Sequence, residues 1–288
     1  QWRAIPQPGQ LLPLGLQHVV AAVVGVITPA ILVADTCGLS SADKTLMIQV
    51  SLILTALATL LQLFPIFHRI GSGLPVIMGI SFAYIPTLQA IGGEFGLPTI
   101  LGAEIVGGIV AIVFGVLVKW IRPLFPPLVT GTVIFTIGLS LYPTAVKYMA
   151  GGACSEWFGS AKSWAVALIT LAVVVFLNHF TKGITKLASI LIGILAGYVI
   201  AYFLGIVDLS GVGSAAWVAL PRPMPFDIQF VPAACVSLGI VYVVNAVQTI
   251  GDLSSTTMGG MDRMPTDKEL SGGIVGQGVM SILGAFFG

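Results

Sequence analysis

The chain has 288 residues, of which 57% are hydrophobic and only 8% charged, with a formal net charge of +1. A soluble domain carries about 25% charged residues, so this composition excludes an ordinary water-soluble fold, and the near-zero net charge argues against a nucleic-acid partner. A mean hydropathy of +1.04 places the chain among all-α polytopic membrane proteins. Cys37, Cys154 and Cys235 are scattered, so no disulfide framework or CxxC metal site is readable. No cleavable signal peptide is visible: the polar start QWRAIPQPGQ runs straight into an apolar span. The lack of a leading Met suggests a trimmed N-terminus, with insertion led by the first membrane helix.

A spanning helix needs about 20 apolar residues. On that measure the sequence predicts about nine spans, near 11–34, 45–67, 74–91, 98–120, 127–148, 162–180, 184–205, 230–254 and 270–288. The longest polar-tolerant gap is 207–229, rich in Gly, Pro and Trp. With a cytoplasmic N-terminus, the inside segments hold Arg3, Arg69, Lys119, Arg122, Lys182, Lys186, Arg263 and Lys268, and the outside ones hold Lys44, Lys147, Lys162 and Arg222. This excess of basic residues has the sign expected for that orientation.

The first span carries Gln17 and His18, with Asp35 at its far end near the interface. An intramembrane histidine is either a helix–helix hydrogen-bonder or a functional group, and its ionisable side chain makes the second reading worth carrying. The third candidate, SGLPVIMGISFAYIPTLQAIGG, is a poor helix, because Gly73, Pro75, Gly79 and Pro86 interrupt it. Between the breakers, Ile80-Ser81-Phe82-Ala83-Tyr84 tolerates an extended form. Unwound backbone at membrane depth is allowed only where protein or a cavity satisfies it, and transporters bind substrate at such breaks. A kinked packing helix is the alternative.

Glu104 sits about two turns inside the fourth span, ~9 Å below its start at ~1.5 Å per residue. Gly107 and Gly108 beside it permit close helix approach. Structural and functional readings of this glutamate are even. Arg122-Pro123-Leu124-Phe125-Pro126-Pro127 is a rigid break and the best internal boundary. The sixth and seventh spans are bland apart from Asn178 and His179, as suits a packing wall. The eighth span carries the densest polar signal, VNAVQTIGDLSSTT. On a helix, Asn245, Gln248, Asp252 and Ser255/Thr256 share one face, opposite Val243, Val244, Ala246, Val247 and Ile250. Small polar residues often serve only to hold helices together, but the Asp252 carboxylate is a poor choice for that task. The segment 262–269 reads as a solvated turn, and the last span has one polar residue, Gln277, among glycines.

Enzyme readings find no support, since no nucleophile elbow, HExxH, phosphate-cradling loop or His pair at i, i+4 occurs. No cofactor is implied. A channel would want a repeated filter or a charged ring. A broken third span with a polar eighth span favours a transporter of a small, uncharged, hydrogen-bonding solute.

Four blocks, taken in order, resemble the nucleobase–ascorbate transporter family: Gln17-His18, GLPVIMGISFAY, RPLFPPLVTGTVIFTIGLSL and QTIGDLSSTTM. The likeness covers nearly the whole chain and leans toward the xanthine/uric acid permeases through Gly251-Asp252. It implies a seven-plus-seven inverted repeat, elevator-like movement, a homodimer in the cell membrane and a co-transported cation, with the proton first among candidates. It also implies a division into core helices 1–4 over 11–120, gate helices 5–7 over 124–205, and core helices 8–9 of the second repeat over 228–288. On this pattern Ser81, Phe82 and Ala83 belong to the third-segment pocket, His18 is the family's first-helix histidine, and Asp252 is the acid one turn past the substrate contact.

Two departures stand out: the family's eighth-helix glutamate falls on Gln248, and its ninth-helix aspartate on Gln277. Glutamine still donates and accepts hydrogen bonds to a purine edge but does not titrate. Any proton would then travel on Asp252, His18 or Glu104, with Asn245 shaping the site. A third departure is length, since the family's tenth-helix signature should begin just beyond Gly288. The expectation is therefore an N-terminal part of a purine carrier. Uracil- or ascorbate-type carriers of the same family, or a non-transporting membrane subunit, are the alternatives.

Overall fold

A computed structural model describes residues 8–67, 69–152, 156–207 and 222–288. Arg3, Cys154, the Gln17 side chain and most of the 207–229 gap lie outside the described residues. The described chain is helical: α1 Pro8–Thr36, α2 Ser41–Leu63, α3 Ile85–Phe95, α4 Leu97–Ile121, α5 Pro127–Ser140, α6 Tyr142–Met149, α7 Ala161–Phe180, α8 Ile184–Leu187, α9 Ser189–Phe203, α10 Pro232–Met261 and α11 Asp267–Phe287. No strand occurs among the described residues; one isolated bridge joins Ile66 and Ile70. Among the described residues six helical stretches are long and apolar enough to cross a bilayer: Ser41–Leu63, Leu97–Leu124, Leu128–Met149, Ala161–Phe180, Pro232–Met261 and Asp267–Phe287. Gly25–Thr36 and Ser189–Phe203 are shorter apolar helices. The protein is therefore a multi-pass α-helical membrane protein.

The chain divides into two units. The smaller comprises 1–25 and 142–219, the larger 26–141 and 220–288. In the smaller unit α7 and α9 pack closely. A Cβ on Gly193 would strike Val174, and one on Gly197 would strike Thr170. Ser160 caps α7 by accepting from the Ser163 backbone N–H at 3.1 Å, while the buried Ser163 hydroxyl donates to the Trp157 carbonyl at 2.9 Å.

In the larger unit α4 lies against α10, α11 and α3. Lipid supplies no hydrophobic drive between helices, so close approach needs small residues. Gly107 takes the face of the Tyr242 ring, and Gly108 and Gly278 let α4 and α11 come within backbone contact. Around these crossings sit two apolar clusters. One is built on Val33, Leu88, Ile100, Leu238 and Tyr242; the other on Leu74, Phe114, Val247, Leu253 and Ile274.

The turn between α10 and α11 is more organised than a plain solvated loop. Thr266 and Glu269 form a reciprocal capping box, and both Arg263 guanidinium nitrogens reach the Glu269 carboxylate, at 2.6 and 2.9 Å. Arg122, just past α4, donates to Asp267 at 2.9 Å and to the Pro265 carbonyl at 3.2 Å. The turn is thereby tied to the end of the central helix.

Residues 71–81 form neither helix nor strand. The chain enters them through Gly71 and Gly73, at φ 107° and 71°, a region that only glycine adopts without strain. Ser81 then caps a short 3-10 turn, Phe82–Tyr84, which runs directly into α3.

The glycine contacts give a contrast that thermal unfolding in detergent can measure. Gly107→Ala drives a methyl into the Tyr242 ring and should cost about 1–3 kcal/mol, lowering the melting temperature. Gly131→Ala, on α5 with open space around it, should be neutral or gain up to about 1 kcal/mol from helix propensity.

Candidate functional site

The non-helical stretch 71–81 meets α10 at one hydrogen bond. The Ser81 hydroxyl donates to Gln248 Oε1 at 3.0 Å and accepts from the Ala83 backbone N–H at 3.2 Å. On its other side Gln248 faces the Asp252 carboxylate one turn along α10. The Gln248 oxygen is thus held by Ser81. A primary amide carries two acceptor lone pairs and two donor N–H groups, so after the Ser81 bond an acceptor and a donor remain for a ligand.

This junction opens into a cavity of about 460 Å³ within the larger unit. Its polar lining gathers Ser81, Asn245, Gln248, Asp252, Gln277 and Glu104 from four parts of the chain. Asn245 is buried, Gln248 half-buried, and Asp252 more exposed, so the α10 ridge runs from the interior outward. One turn of α10 adds Thr249, whose hydroxyl proton is shared between the Asn245 carbonyl at 2.9 Å and Gln277 Oε1 at 2.8 Å. That bond fixes the α11 amide against the α10 ridge. The remaining wall includes Met47, Val50, Leu54, Ile80, Leu101 and Met280. An apolar wall with a few convergent polar groups is the usual make-up of a small-molecule site.

Glu104 lies apart from the amide pair. It faces the cavity from α4 beside the phenols of Tyr84 and Tyr242, whose rings are 4.8 Å apart, and Tyr242 also engages the Ser281 hydroxyl. The lining contains no Lys, Arg or His.

Other residues singled out from the sequence fall elsewhere. Phe82 and Ala83 sit in the 3-10 turn and are not part of the lining, which passes from Ser81 to Tyr84. His18 lies on α1 with an exposed side chain and belongs to the smaller unit. Ser255 and Thr256 continue the α10 face beyond the cavity, and the Thr256 hydroxyl turns back to the Asp252 carbonyl at 2.9 Å. The predicted apolar face holds: Ala246, Val247 and Ile250 are buried in the second cluster.

Sequence reasoning missed three contributors. Thr249 was hidden within the apolar side of the α10 pattern, although its position three residues before Asp252 and four after Asn245 is a helical neighbour of both. Tyr242 is announced only by the glycine opposite it on α4. Gln62 left no signal at all. It is 1% exposed near the end of α2, donates through Nε2 to the Gly273 carbonyl at 2.9 Å, and accepts from the Ser72 N–H at 2.8 Å.

Kinship with known proteins agrees with this architecture. Residues 9–288 match the model of a family described as "Permease family". Among similar proteins are the xanthine permease of Bacillus subtilis (strain 168), 36% identical over 97% of this chain and 64% of that protein, and the uric acid permease PucK of the same strain, 36% identical over 96% and 64%. The uric acid transporter UacT of Escherichia coli (strain K12) is 32% identical over 86% of this chain and 52% of its own length. The chain therefore spans between half and two thirds of the length of these relatives. With the match running over nearly the whole chain, it belongs to this permease family, the nucleobase–ascorbate transporters.

Proposed function

We propose that the chain carries the substrate cavity of a transporter for a purine nucleobase of the xanthine or uric acid kind, and is not an enzyme. The observation that carries this reading is the Gln248 amide, held by Ser81 beside the Asp252 carboxylate over a cavity with an apolar wall. A side-chain amide pairs with a purine edge in two parallel hydrogen bonds, one donated and one accepted. The names of the relatives, xanthine permease and uric acid permease, point to the same class of ligand.

In this reading Gln248 reads the base edge, Ser81 orients it, and Asn245 and Gln277 shape the polar end. Phe82 and Ala83 supply backbone beside the base. The stretch 74–91 is a broken third membrane segment, one of about nine spans that make up the first repeat and the opening of the second. Core helices lie over 11–120 and 228–288, gate helices over 124–205. They move by an elevator mechanism in a homodimer of the cell membrane, with the N-terminus in the cytoplasm. A cation accompanies the base, and Asp252, Glu104 and His18 are the titratable groups proposed to carry a proton.

Equilibrium binding of radiolabelled xanthine to the purified chain tests the reading, with uric acid, uracil and ascorbate as competitors. Saturable binding displaced by uric acid but not by uracil or ascorbate is expected. Displacement by uracil alone would transfer the site to pyrimidines, and no saturable binding would favour a non-transporting subunit. Gln248→Ala should weaken binding by about 1–3 kcal/mol, the worth of a bidentate amide–base pair.

Gln248→Glu should keep or raise affinity, because a carboxylate makes stronger charge-assisted bonds, and should make it depend more steeply on pH. A flat pH profile for that variant would count against the assigned edge contact. In the full-length protein, Asp252→Asn should abolish proton-driven accumulation. Undiminished accumulation after the proton gradient is collapsed would mean that the driving ion is another cation.

A further inference from the structure

A segment without helix or strand has backbone donors and acceptors that its own fold leaves unpaired, and at membrane depth there is no water to take them. In residues 71–81 the Leu74 and Val76 N–H groups are met within the segment, by the Ser72 hydroxyl and the Leu74 carbonyl, and those of Gly71, Ser72, Gly73 and Met78 go to two helices, α2 and α11. Gly71 N–H donates to the Gly272 carbonyl at 2.8 Å, Gly73 N–H to the Gln62 carbonyl at 2.7 Å, and Met78 N–H to the Thr59 hydroxyl at 3.1 Å. The Gln62 side chain accepts from Ser72 N–H with one atom and donates to the Gly273 carbonyl with the other, at 2.8 and 2.9 Å.

One residue therefore touches three things: the incoming turn through its backbone, the start of the extended segment through Oε1, and α11 through Nε2. The glycines Gly272, Gly273 and Gly276 make room for this. A Cβ on Gly272 would collide with the Gly71 carbonyl, and one on Gly276 would press on the Gln62 amide at 3.2 Å.

The positions that follow from these anchors are those of the site. Gln277 is one helical turn from Gly273 on α11, and Ser81 is three residues beyond Met78. We infer that Gln62, with Thr59 as a second anchor, is the positioning residue of the cavity: it sets the register between the extended segment and α11, so that Ser81 meets Gln248 while Gln277 meets Thr249. Gln62 and Thr59 do not line the cavity and act on a ligand only through these neighbours. The inference rests on the purine-binding reading for its ligand, and on the hydrogen bonds alone for its geometry.

The test separates the two. Gln62→Met keeps the length of the side chain and removes both side-chain bonds, while Thr59→Val removes only the Met78 bond. Hydrogen exchange of the purified chain in detergent should quicken about tenfold across residues 72–83 in Gln62→Met, the equivalent of one lost net hydrogen bond. It should quicken over a shorter stretch around Met78 in Thr59→Val. Xanthine affinity per folded molecule should fall in the same order, by about tenfold and then less. Ser163→Ala, in the smaller unit, loses a buried hydrogen bond of similar kind and should lower the melting temperature with no change in affinity.

Unchanged exchange at 79–83 in both variants overturns the inference, and so does faster exchange with wild-type xanthine affinity, which would make Gln62 a purely stabilising residue. If Gln62→Met does not fold, Thr59→Val decides alone. If the wild-type chain binds no base, the purine reading fails, and exchange at 79–83 still decides whether α2 holds Ser81.

Discussion

The larger unit is arranged around a single constraint, the need of a stretch of backbone outside helix and strand to find hydrogen-bond partners on other elements. An unpaired buried amide costs about 1–3 kcal/mol, and Gly71, Ser72 and Leu74 of the stretch 71–81 are buried. Its entry is answered by the Gln62 side chain, the Gln62 carbonyl and the Gly272 carbonyl, and its exit by the Ser81 cap of the 3-10 turn. Those partners lie on helices far apart in sequence, and they come together only because glycines let the helices close. The cavity is the remainder of this arrangement. Where the segment turns away from α2 it leaves a space against α10, and the polar groups that could not be buried without partners line it.

The same logic divides what could be read in the chain from what could not. Periodicity put Asn245, Gln248 and Asp252 on one face of a helix, and in the folded chain they line one cavity. Of the breakers Gly73, Pro75, Gly79 and Pro86, the first three fall in residues 71–81, which are without helix, while Pro86 stands in the first turn of α3. Both signals are local, carried by spacings of three or four residues or by residue types that forbid a conformation.

Gln62 has no such signal. Its partner Gly273 is 211 residues away, and a glutamine near the end of an apolar helix looks the same whether it meets lipid headgroups or a neighbouring helix. Phe82, which the resemblance placed in the pocket with Ser81, is not part of the lining: the 3-10 turn rotates successive residues by about a third of a turn and brings Tyr84 to the lining instead.

Charge narrows what the cavity can hold. Among the described residues its lining holds two carboxylic acids, Glu104 and Asp252, and no basic side chain. An anion entering such a space gives up its hydration and meets carboxylates, with no guanidinium or ammonium to receive it. In a medium of low effective dielectric this repulsion is strong, about 4 kcal/mol for unit charges 4 Å apart at an effective dielectric of 20. A neutral planar solute pays no such penalty and finds amide donors and acceptors already oriented, and uric acid, an anion at neutral pH, escapes the penalty only with a compensating proton. Gln248 and Gln277 offer both kinds of hydrogen bond without adding a further carboxylate to the cavity. Glu104 stands apart from that amide pair, beside the Tyr84 and Tyr242 phenols. The cavity therefore sets the amides of α10 and α11 apart from the Glu104 carboxyl on α4.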